Sequence, residues 1–180
     1  QVLSATADET AATGTYSLSV ANLAEATALA SGGFADPATV AGTGSLTLNF
    51  GDGRVETLDF TDANTTYEDI RDAINDADIG VNAVIVNDGS NYRLMLTSAE
   101  TGLDNGISAS VTGFADAGMT SGFTEERAAR DAQFTINGLS VTSATNEVDG
   151  VIPGVSLTLK EPSGSETVAV TVGLNKGAEI

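Results

Sequence analysis

Apolar and polar residues alternate with a period of two along most of the chain. Residues 15–20, for example, place Tyr16, Leu18 and Val20 on one side of an extended segment and serines on the other. This pattern predicts β-strands with one buried face. The same period predicts further strands at residues 46–50, 55–60, 81–86, 92–97, 107–111, 134–136, 139–141, 155–159 and 168–172. Within residues 55–60 the apolar spacing slips, which predicts a β-bulge.

Residues with turn chemistry separate several of these strands. Gly51-Asp52-Gly53 predicts a hairpin, and residues 87–91, with the sequence Asn-Asp-Gly-Ser-Asn, predict a second turn. Asn137-Gly138 is the strongest two-residue hairpin signal in the chain, because both central positions of a type I′ turn need a positive φ. Residues 162–165 predict a further turn before the last strand.

One amphipathic helix interrupts the strand pattern. Thr66 is placed as an N-cap, with Asp69 three residues later, and acidic residues in the first turn suit the helix dipole. Ile70 and Ile74 lie on one apolar stripe, and Gly80 is placed to end the helix. The sequence therefore predicts a single clear helix between two hairpins.

The strand at residues 15–20 has no predicted partner nearby, so we expect it to pair with the late strands of the chain. A connection rich in Gly, Ala and Ser at residues 113–122 closes the helix-containing region. The predicted fold class is α+β, mostly antiparallel β, with two small domains, one inserted into the other. The predicted ranges are 12–40 plus 123–175 for an all-β domain and 41–122 for the inserted α+β domain with its one helix.

Charge narrows the classes of partner. Seven Lys and Arg against 25 Asp and Glu give a formal net charge of −18. Such a surface repels phosphate backbones and anionic headgroups, so we expect no nucleic-acid and no membrane partner. With 41% hydrophobic residues the chain is nevertheless apolar enough to fold. Because it begins at Gln1 rather than Met, we expect a fragment of a longer polypeptide.

Catalytic chemistry has few candidates. The chain has no His and no Cys, which excludes disulfides, thiolate or imidazole ligands and a Ser-His-Asp relay. A glycosidase with paired carboxylates is the remaining enzyme alternative, through pairs such as Asp59 with Asp62 or Asp69 with Asp72. With so many acidic residues, a solvated helix face explains these pairs better. Residues 76–80 resemble the start of a calcium-binding loop but lack its required glycine, so a helix end is preferred. We expect no catalytic, cofactor or metal site.

Four apolar residues lie in segments predicted to be loops. These are Phe34, Phe114, Met119 and Phe123. Clustered exposed apolar groups usually serve an interface, so the four residues are candidates for a self-association or partner surface. Burial beneath their own loops is the alternative, and it is the more common fate of such side chains.

Two stretches resemble known proteins. Residues 46–102 contain Tyr-Glu-Asp-Ile-Arg-Asp-Ala-Ile-Asn, and they resemble the flagellin IN motif, named for the pair that is here Ile74-Asn75. Residues 131–142, Asp-Ala-Gln-Phe-Thr-Ile-Asn-Gly-Leu-Ser-Val-Thr, with Asn146 and Val-Ile-Pro-Gly at residues 151–154, resemble the flagellar filament cap family, hook-associated protein 2.

The resemblance implies a structural role for the chain. It implies the head of the cap, with domains labelled D2 and D3, and a ring-shaped homo-oligomer at the distal tip of the extracellular filament. Flagellin would be the partner that folds beneath the ring, and coiled-coil segments would lie in parts of the protein outside this chain. Some family members are also adhesins for host mucus or surface glycans.

Two alternatives remain open at this stage. The first is a flagellin outer domain or another hook-associated protein, which would share the IN motif. The second is a carbohydrate-binding surface adhesin module, although binding platforms of that kind usually carry Trp or clustered Tyr. For the isolated chain we expect a monomer at low ionic strength, because surfaces that share a charge of −18 repel one another.

Overall fold

The computed structural model describes residues 1–173, which separate into two compact units. The first unit combines Gln1–Glu25 with the segment from Arg130 onward, and the second is the continuous segment Ala26–Ala129.

The described strands are β1 (Leu3–Ala7), β2 (Gly14–Asn22), β3 (Ala28–Ser31), β4 (Gly44–Phe50), β5 (Val55–Phe60), β6 (Val81–Asn87), β7 (Tyr92–Ser98), β8 (Ile107–Thr112), β9 (Phe123–Arg127), β10 (Ala132–Ile136), β11 (Leu139–Ser143), β12 (Glu147–Ile152), β13 (Val155–Leu159) and β14 (Val168–Val172). The helices are α1 (Tyr67–Asp76), α2 (Ala117–Thr120) and a 3-10 turn at Leu103–Asn105.

The first unit contains two antiparallel sheets that share one core. Their strand orders are β1-β13-β12 and β11-β10-β2-β14. β2 pairs with β10 and β14, which confirms that the early strand joins the late strands of the chain. The alternating apolar residues of both sheets fill the core: Leu3, Leu18, Val20, Ala24, Ala132, Phe134, Ile136, Val148, Ile152, Val155, Leu157 and Leu159.

The second unit also contains two antiparallel sheets, with α1 packed against β6. Their strand orders are β6-β7-β3-β9 and β5-β4-β8. Helix and strands contribute to one core, whose larger buried members are Leu29, Phe34, Leu46, Leu48, Phe50, Tyr67, Ile70, Ile74, Val81, Leu94, Leu96, Ile107, Phe114 and Met119. The predicted α+β class with mostly antiparallel strands is confirmed.

Helix α1 begins where its sequence indicates but ends before Gly80, the residue predicted to end it: its C-cap is Ala77, and Asp78 follows with a φ of +47°. The Thr66 hydroxyl accepts a hydrogen bond from the Asp69 N–H, and the Asp69 carboxylate accepts one from the Thr66 N–H, which completes a capping box. Ile70 and Ile74 are fully buried. Beyond the helix, Gly80 adopts a φ of +82°, which glycine tolerates without a Cβ clash. Among residues 1–173, no helix has the length and apolar character that a membrane crossing needs.

Some local predictions differ from the structure. The predicted bulge in β5 is wrong: β5 pairs with β4 in an unbroken register from Gly44 opposite Phe60 to Asn49 opposite Val55. Val55 breaks the apolar period because it lies on the exposed face, at 56% exposure. Strands β1, β3, β9 and β12 and the short helix α2 were not predicted. β1 is rich in Ser, Ala and Thr, and β3 is buried on both faces and so lacks alternation.

The unit boundaries also differ from the predicted ranges. The predicted inserted domain, 41–122, excludes β3 and β9, whereas β3 pairs with β7 and β9 and all three strands lie in the second unit. The observed second unit is therefore longer at both ends. In the first unit, β1 extends the predicted start at residue 12, and the predicted end at residue 175 lies outside the described residues.

Candidate functional site

The acidic residues singled out from the sequence have local structural roles. Asp69 caps α1, and its hydrogen bonds with Thr66 lower the pKa of its carboxyl. Asp72 accepts from the Arg71 guanidinium at 2.7 Å, which lowers the pKa of the Asp72 carboxyl. Asp59 accepts from the Ser45 hydroxyl at 2.5 Å. These contacts match solvated strand and helix faces rather than a catalytic pair.

The segment that resembles a calcium loop is the end of α1. Asp76 is the last residue of α1, Ala77 is its C-cap, and Asp78 follows with a φ of +47°. Within residues 1–173, no group of three or more His, Cys, Asp or Glu side chains is arranged to hold a metal ion.

The four apolar residues proposed as a partner surface do not form an exposed patch. Phe34, Phe114 and Met119 are buried in the core of the second unit, and Phe123 is half-buried against it. Segments that look like loops in the sequence fold back over the core, so their apolar side chains are covered. These residues are therefore covered, as the alternative expects, although Met119 lies in α2 and Phe123 is the first residue of β9 rather than part of a loop.

The same core contains a buried polar contact made by Tyr67. The hydroxyl of Tyr67, which is fully buried, donates to the Asp116 carboxylate at 2.5 Å. Burial, with the added effect of the negative Asp116, raises the pKa of the Tyr67 phenol far above its usual range. Asp116 also accepts from the Gly118 N–H at 2.9 Å and so caps α2. The arrangement fixes the loop over the core.

An apolar cavity in the first unit is the strongest candidate for a contact site. It has a volume of about 320 Å³. We call it the hairpin cavity, because residues next to two hairpin turns form most of its wall. It is lined by Tyr16, Ile136, Asn137, Leu139, Val151, Ile152 and Pro153. Residues from the first hairpin turn, Asn137 and Leu139, and from the stretch Val151 to Pro153 thus line one cavity. Asn137 and Val151 are 14 positions apart in the sequence.

The first wall of the hairpin cavity is fixed by the turn between β10 and β11. Asn137 and Gly138 have φ values of +50° and +85°, as a type I′ turn requires. The Asn137 side-chain oxygen accepts from the Ser17 N–H at 2.9 Å, and the Asn137 N–H donates to the Ser17 carbonyl at 2.8 Å. The turn is therefore bound to β2, and Leu139 follows it at a defined position.

The second wall is fixed by the turn between β12 and β13. The Pro153 carbonyl accepts from the Ala12 N–H at 3.1 Å, and the Gly154 carbonyl accepts from the Asp8 N–H at 2.9 Å. Gly154 has a φ of +71°, and a Cβ there would lie 2.5 Å from the Ala11 nitrogen. Only glycine fits this close approach.

The hairpin cavity combines exposed apolar side chains with an uncharged lining. Leu139 is 70% exposed and Val151 is 38% exposed, although neighbouring Ile136 and Ile152 are buried. None of the seven lining residues carries a charge, whereas the whole chain has a net charge of −18. The site is therefore suited to an apolar side chain of another protein surface.

Sequence reasoning missed this site. Leu139 fits the alternating pattern of a predicted strand, and Val151 lies in the Val-Ile-Pro-Gly stretch that carries the family resemblance, so neither residue is predicted to form a contact surface. The available signal was a leucine directly after a two-residue turn. Few neighbouring residues can cover a side chain at the end of a hairpin, and Leu139 is 70% exposed there.

The Ile74-Asn75 pair joins α1 to β6. Ile74 is fully buried in the core of the second unit. The Asn75 side chain accepts from the Ala83 N–H at 2.8 Å and donates to the Ala83 carbonyl at 3.0 Å. In the first unit, Asn146 makes the same pair of bonds with Ala24, at 2.8 and 3.0 Å.

Sequence comparisons identify relatives of both units. The profile described as "Flagellin hook IN motif" matches residues 45–100, and the profile described as "Flagellar hook-associated protein 2 C-terminus" matches residues 129–178. The B-type flagellar hook-associated protein 2 of Pseudomonas aeruginosa is 33% identical over 182 residues, covering 88% of this chain and 38% of that protein. Flagellar hook-associated protein 2 of Escherichia coli O157:H7 is 35% identical over 159 residues, covering 81% of this chain and 34% of that protein.

A solved structure matches nearly the whole chain. The D2-D3 domains of the flagellar cap protein FliD from Escherichia coli superpose with a TM-score of 0.83 at 33% identity. The match covers 96% of this chain and 95% of that one. This chain spans little more than a third of the length of the curated relatives it matches.

Proposed function

The chain belongs to the flagellar hook-associated protein 2 family, and we propose that it forms the head of a flagellar filament cap. The observation that carries the proposal is the nearly complete mutual coverage with the D2-D3 head of the Escherichia coli cap protein, at 95% and 96% of the two chains. In this proposal the head lies outside the cell, at the distal tip of the filament.

The proposed partners are further copies of the whole protein and flagellin. The copies form a ring through the full-length protein, and exported flagellin subunits fold beneath the ring and add to the filament. The cap promotes this polymerisation and prevents the loss of exported flagellin. The flagellin hook IN motif at residues 45–100 supports the association with flagellin. Host mucus and glycans are not among the partners that we propose.

The proposed role is mechanical, and no covalent bond is made or broken. In support of this, the acidic side chains that offered the best acid-base pairs cap a helix or bind neighbouring side chains, as at Asp69, Asp72 and Asp59. The head instead supplies a stable surface, and its contacts change as subunits enter.

We assign the hairpin cavity to the contacts of the head within the assembled cap. Like charges oppose association over most of a surface with a net charge of −18. That repulsion is least where the lining is uncharged and where Leu139 and Val151 expose apolar area. Burial of this area in a contact is favourable at about 25 cal/mol per Å².

A flagellin outer domain is the competing assignment. It would share the IN motif, but the match at residues 129–178 is to the hook-associated protein 2 C-terminus. The cap assignment therefore explains both halves of the chain.

The proposal is tested by replacing the D2-D3 head of the Escherichia coli cap protein with this chain. The chimera is expressed in Escherichia coli that lacks its own cap, and flagellin is measured in filaments and in the medium. We expect filaments to form and the flagellin in the medium to fall. The unaltered cap protein and a cap protein without its head are the controls. A chimera that is exported and stable, yet leaks as much flagellin as the headless control, contradicts the proposal.

A further inference from the structure

Strand β6 lies at an open edge of the second unit. Among the strands of residues 1–173, the sheet order is β6-β7-β3-β9, and β6 pairs with β7 on one side only. Its seven residues, Val-Asn-Ala-Val-Ile-Val-Asn, include no charge, no Pro and no Gly. Natural edge strands are usually protected by charges, Pro or bulges, because an unprotected edge pairs with another chain. β6 has none of these devices.

The direction of the backbone groups on β6 follows from its pairing with β7. Alternate residues of an antiparallel strand direct their N–H and C=O groups to opposite sides. Ala83 bonds to Asn75 rather than to β7, so Val81, Ala83, Ile85 and Asn87 direct their backbone groups toward the open edge. The hydrogen bonds of β7 support this direction. The Leu94 and Ser98 N–H groups, opposite Ile85 and Val81, donate to Ser31 of β3 and to Thr27 just before it, and so point away from β6.

The side chains of β6 favour pairing at this edge. Val84 and Val86 are 49% and 38% exposed on the outer face of the sheet. Four of the seven residues of β6 are β-branched, and such residues pack well in sheets. A second copy is otherwise repelled by the charge of −18, and this uncharged strand is a place where that repulsion is weak.

Asn75 occupies the centre of this open edge. Its amide reaches from α1 and binds both the N–H and the carbonyl of Ala83, at 2.8 and 3.0 Å, as a neighbouring strand would. Any strand added to β6 must displace this amide. The contact is thus placed where it interrupts a continuous ladder of edge hydrogen bonds.

We propose that Asn75 guards the edge of β6 and prevents it from pairing with β6 of a second copy of this chain. Without the guard, two copies pair in an antiparallel register centred on Val84. In that register Ala83 faces Ile85 of the second copy, and Val84 faces its own counterpart. All four outward-facing residues then take part in the ladder. This inference concerns the isolated chain and does not depend on the filament-cap proposal.

The first test compares Asn75→Ala with Asn146→Ala by sedimentation velocity at physiological and higher ionic strength. Both variants lose two bonds between an Asn amide and an Ala backbone, but Ala24 is outside the named strands. We expect Asn75→Ala to dimerise at concentrations at least tenfold below those at which Asn146→Ala or the unaltered chain associates. Adding Val84→Lys should restore the monomer, because two Lys would face each other at the centre of the register. Folded Asn75→Ala that remains as monomeric as Asn146→Ala overturns the proposal.

The second test uses the absence of cysteine in the chain. Val84→Cys is introduced with and without Asn75→Ala, and disulfide-linked dimers are measured after mild oxidation. We expect severalfold more dimer with Asn75→Ala, because facing residues in the proposed register have Cβ atoms about 5 Å apart. Val55→Cys on edge strand β5, also exposed, is the matched control and should not respond to Asn75→Ala. Equal responses at both positions refute the proposed register.

A third measurement uses the unaltered chain, so it does not depend on how a variant folds. Hydrogen exchange should be at least tenfold slower at the Ala83 N–H than at the Ile85 N–H, because only Ala83 is covered by the Asn75 amide. Equally fast exchange at the two positions means that the guard is not formed, and the proposal fails.

Discussion

Phe34 and Tyr67 stack face to face in the core of the second unit, with ring centroids 3.6 Å apart and an interplanar angle of 9°. Phe34 lies in the segment after β3, and Tyr67 is the first residue of α1. The stack therefore joins a segment that looks like a loop in the sequence to the start of the helix. It also assigns Phe34 to the core rather than to a contact surface.

Phe34→Ala should reduce the free energy of unfolding of the second unit by about 3 to 5 kcal/mol, because it removes a buried ring and leaves a cavity. Urea denaturation followed by circular dichroism measures the change. Leu139→Ala, at a side chain that is 70% exposed, is the control and should change stability by about 0.5 kcal/mol or less. A small effect of Phe34→Ala would restore the surface interpretation.

Tyr67 should make the stability of the second unit sensitive to alkaline pH. Its folded-state pKa is raised by burial and by Asp116, so the folded state favours the neutral phenol. The stabilisation is fully present below the unfolded pKa, about 10, and is lost as the pH rises above that value. Ultraviolet titration should show one tyrosine that ionises only as the unit unfolds. Tyr67→Phe should remove that step; if the step persists, it belongs to another residue.

Gly154→Ala should destabilise the first unit more than Gly150→Ala. Both glycines have a positive φ, at +71° and +74°, so each substitution carries a similar backbone strain of about 1 to 2 kcal/mol. A Cβ at Gly154 also meets the Ala11 nitrogen at 2.5 Å, whereas a Cβ at Gly150 has no contact within 4 Å among residues 1–173. Chemical denaturation of both variants measures the difference. Equal destabilisation would mean that the turn moves freely away from Ala11.

Leu139→Ser should impair the cap without impairing the fold. An exposed side chain contributes little to stability, so the melting temperature of the chain should hardly change. In the chimeric cap protein, the loss of apolar area at the hairpin cavity should increase the flagellin found in the medium. Val55→Ser is the control, because Val55 is also exposed but belongs to the second unit and does not line the hairpin cavity. Full retention of flagellin by the Leu139→Ser chimera would remove the cavity from the proposed contacts.

The unaltered chain should be monomeric at low ionic strength. Two copies with a charge of −18 each repel until salt shortens the range of the repulsion, from a Debye length of about 30 Å at 0.01 M to about 8 Å at 0.15 M. Sedimentation equilibrium at these two salt concentrations checks the expectation. A stable ring at the lower concentration would contradict it.

The sequence predicted those elements whose signal is local. The capping box at Thr66 and the turn at Asn137-Gly138 depend on neighbouring residues, and both are present in the structure. β3 was not predicted, because its four residues are all buried and therefore do not alternate. Its place in the second unit depends on pairing with β7 and β9, more than 60 residues away by the separation of Leu29 and Leu96. Long-range pairing of this kind leaves no local pattern.

At the candidate site, too, local features could be predicted from the sequence and long-range contacts could not. The turn at Asn137-Gly138 was predicted, but its proximity to the turn before β13 was not, because that proximity depends on the separate attachment of Asn137 to Ser17 and of Pro153 to Ala12. The burial of Phe114 and Met119 was likewise left open by the sequence, since a loop and a covered loop have the same composition.

The antiparallel pairing of β3 with β9 has a consequence for the architecture of the whole chain. Ala28 lies opposite Arg127, so the second unit begins and ends on adjacent strands. In the first unit, the backbones of Glu25 and Arg130 exchange two hydrogen bonds, at 2.9 and 3.1 Å. The second unit is therefore an inserted domain whose two ends lie side by side. We expect that it can be replaced by a short turn or by another domain, while the strands of the first unit keep their register.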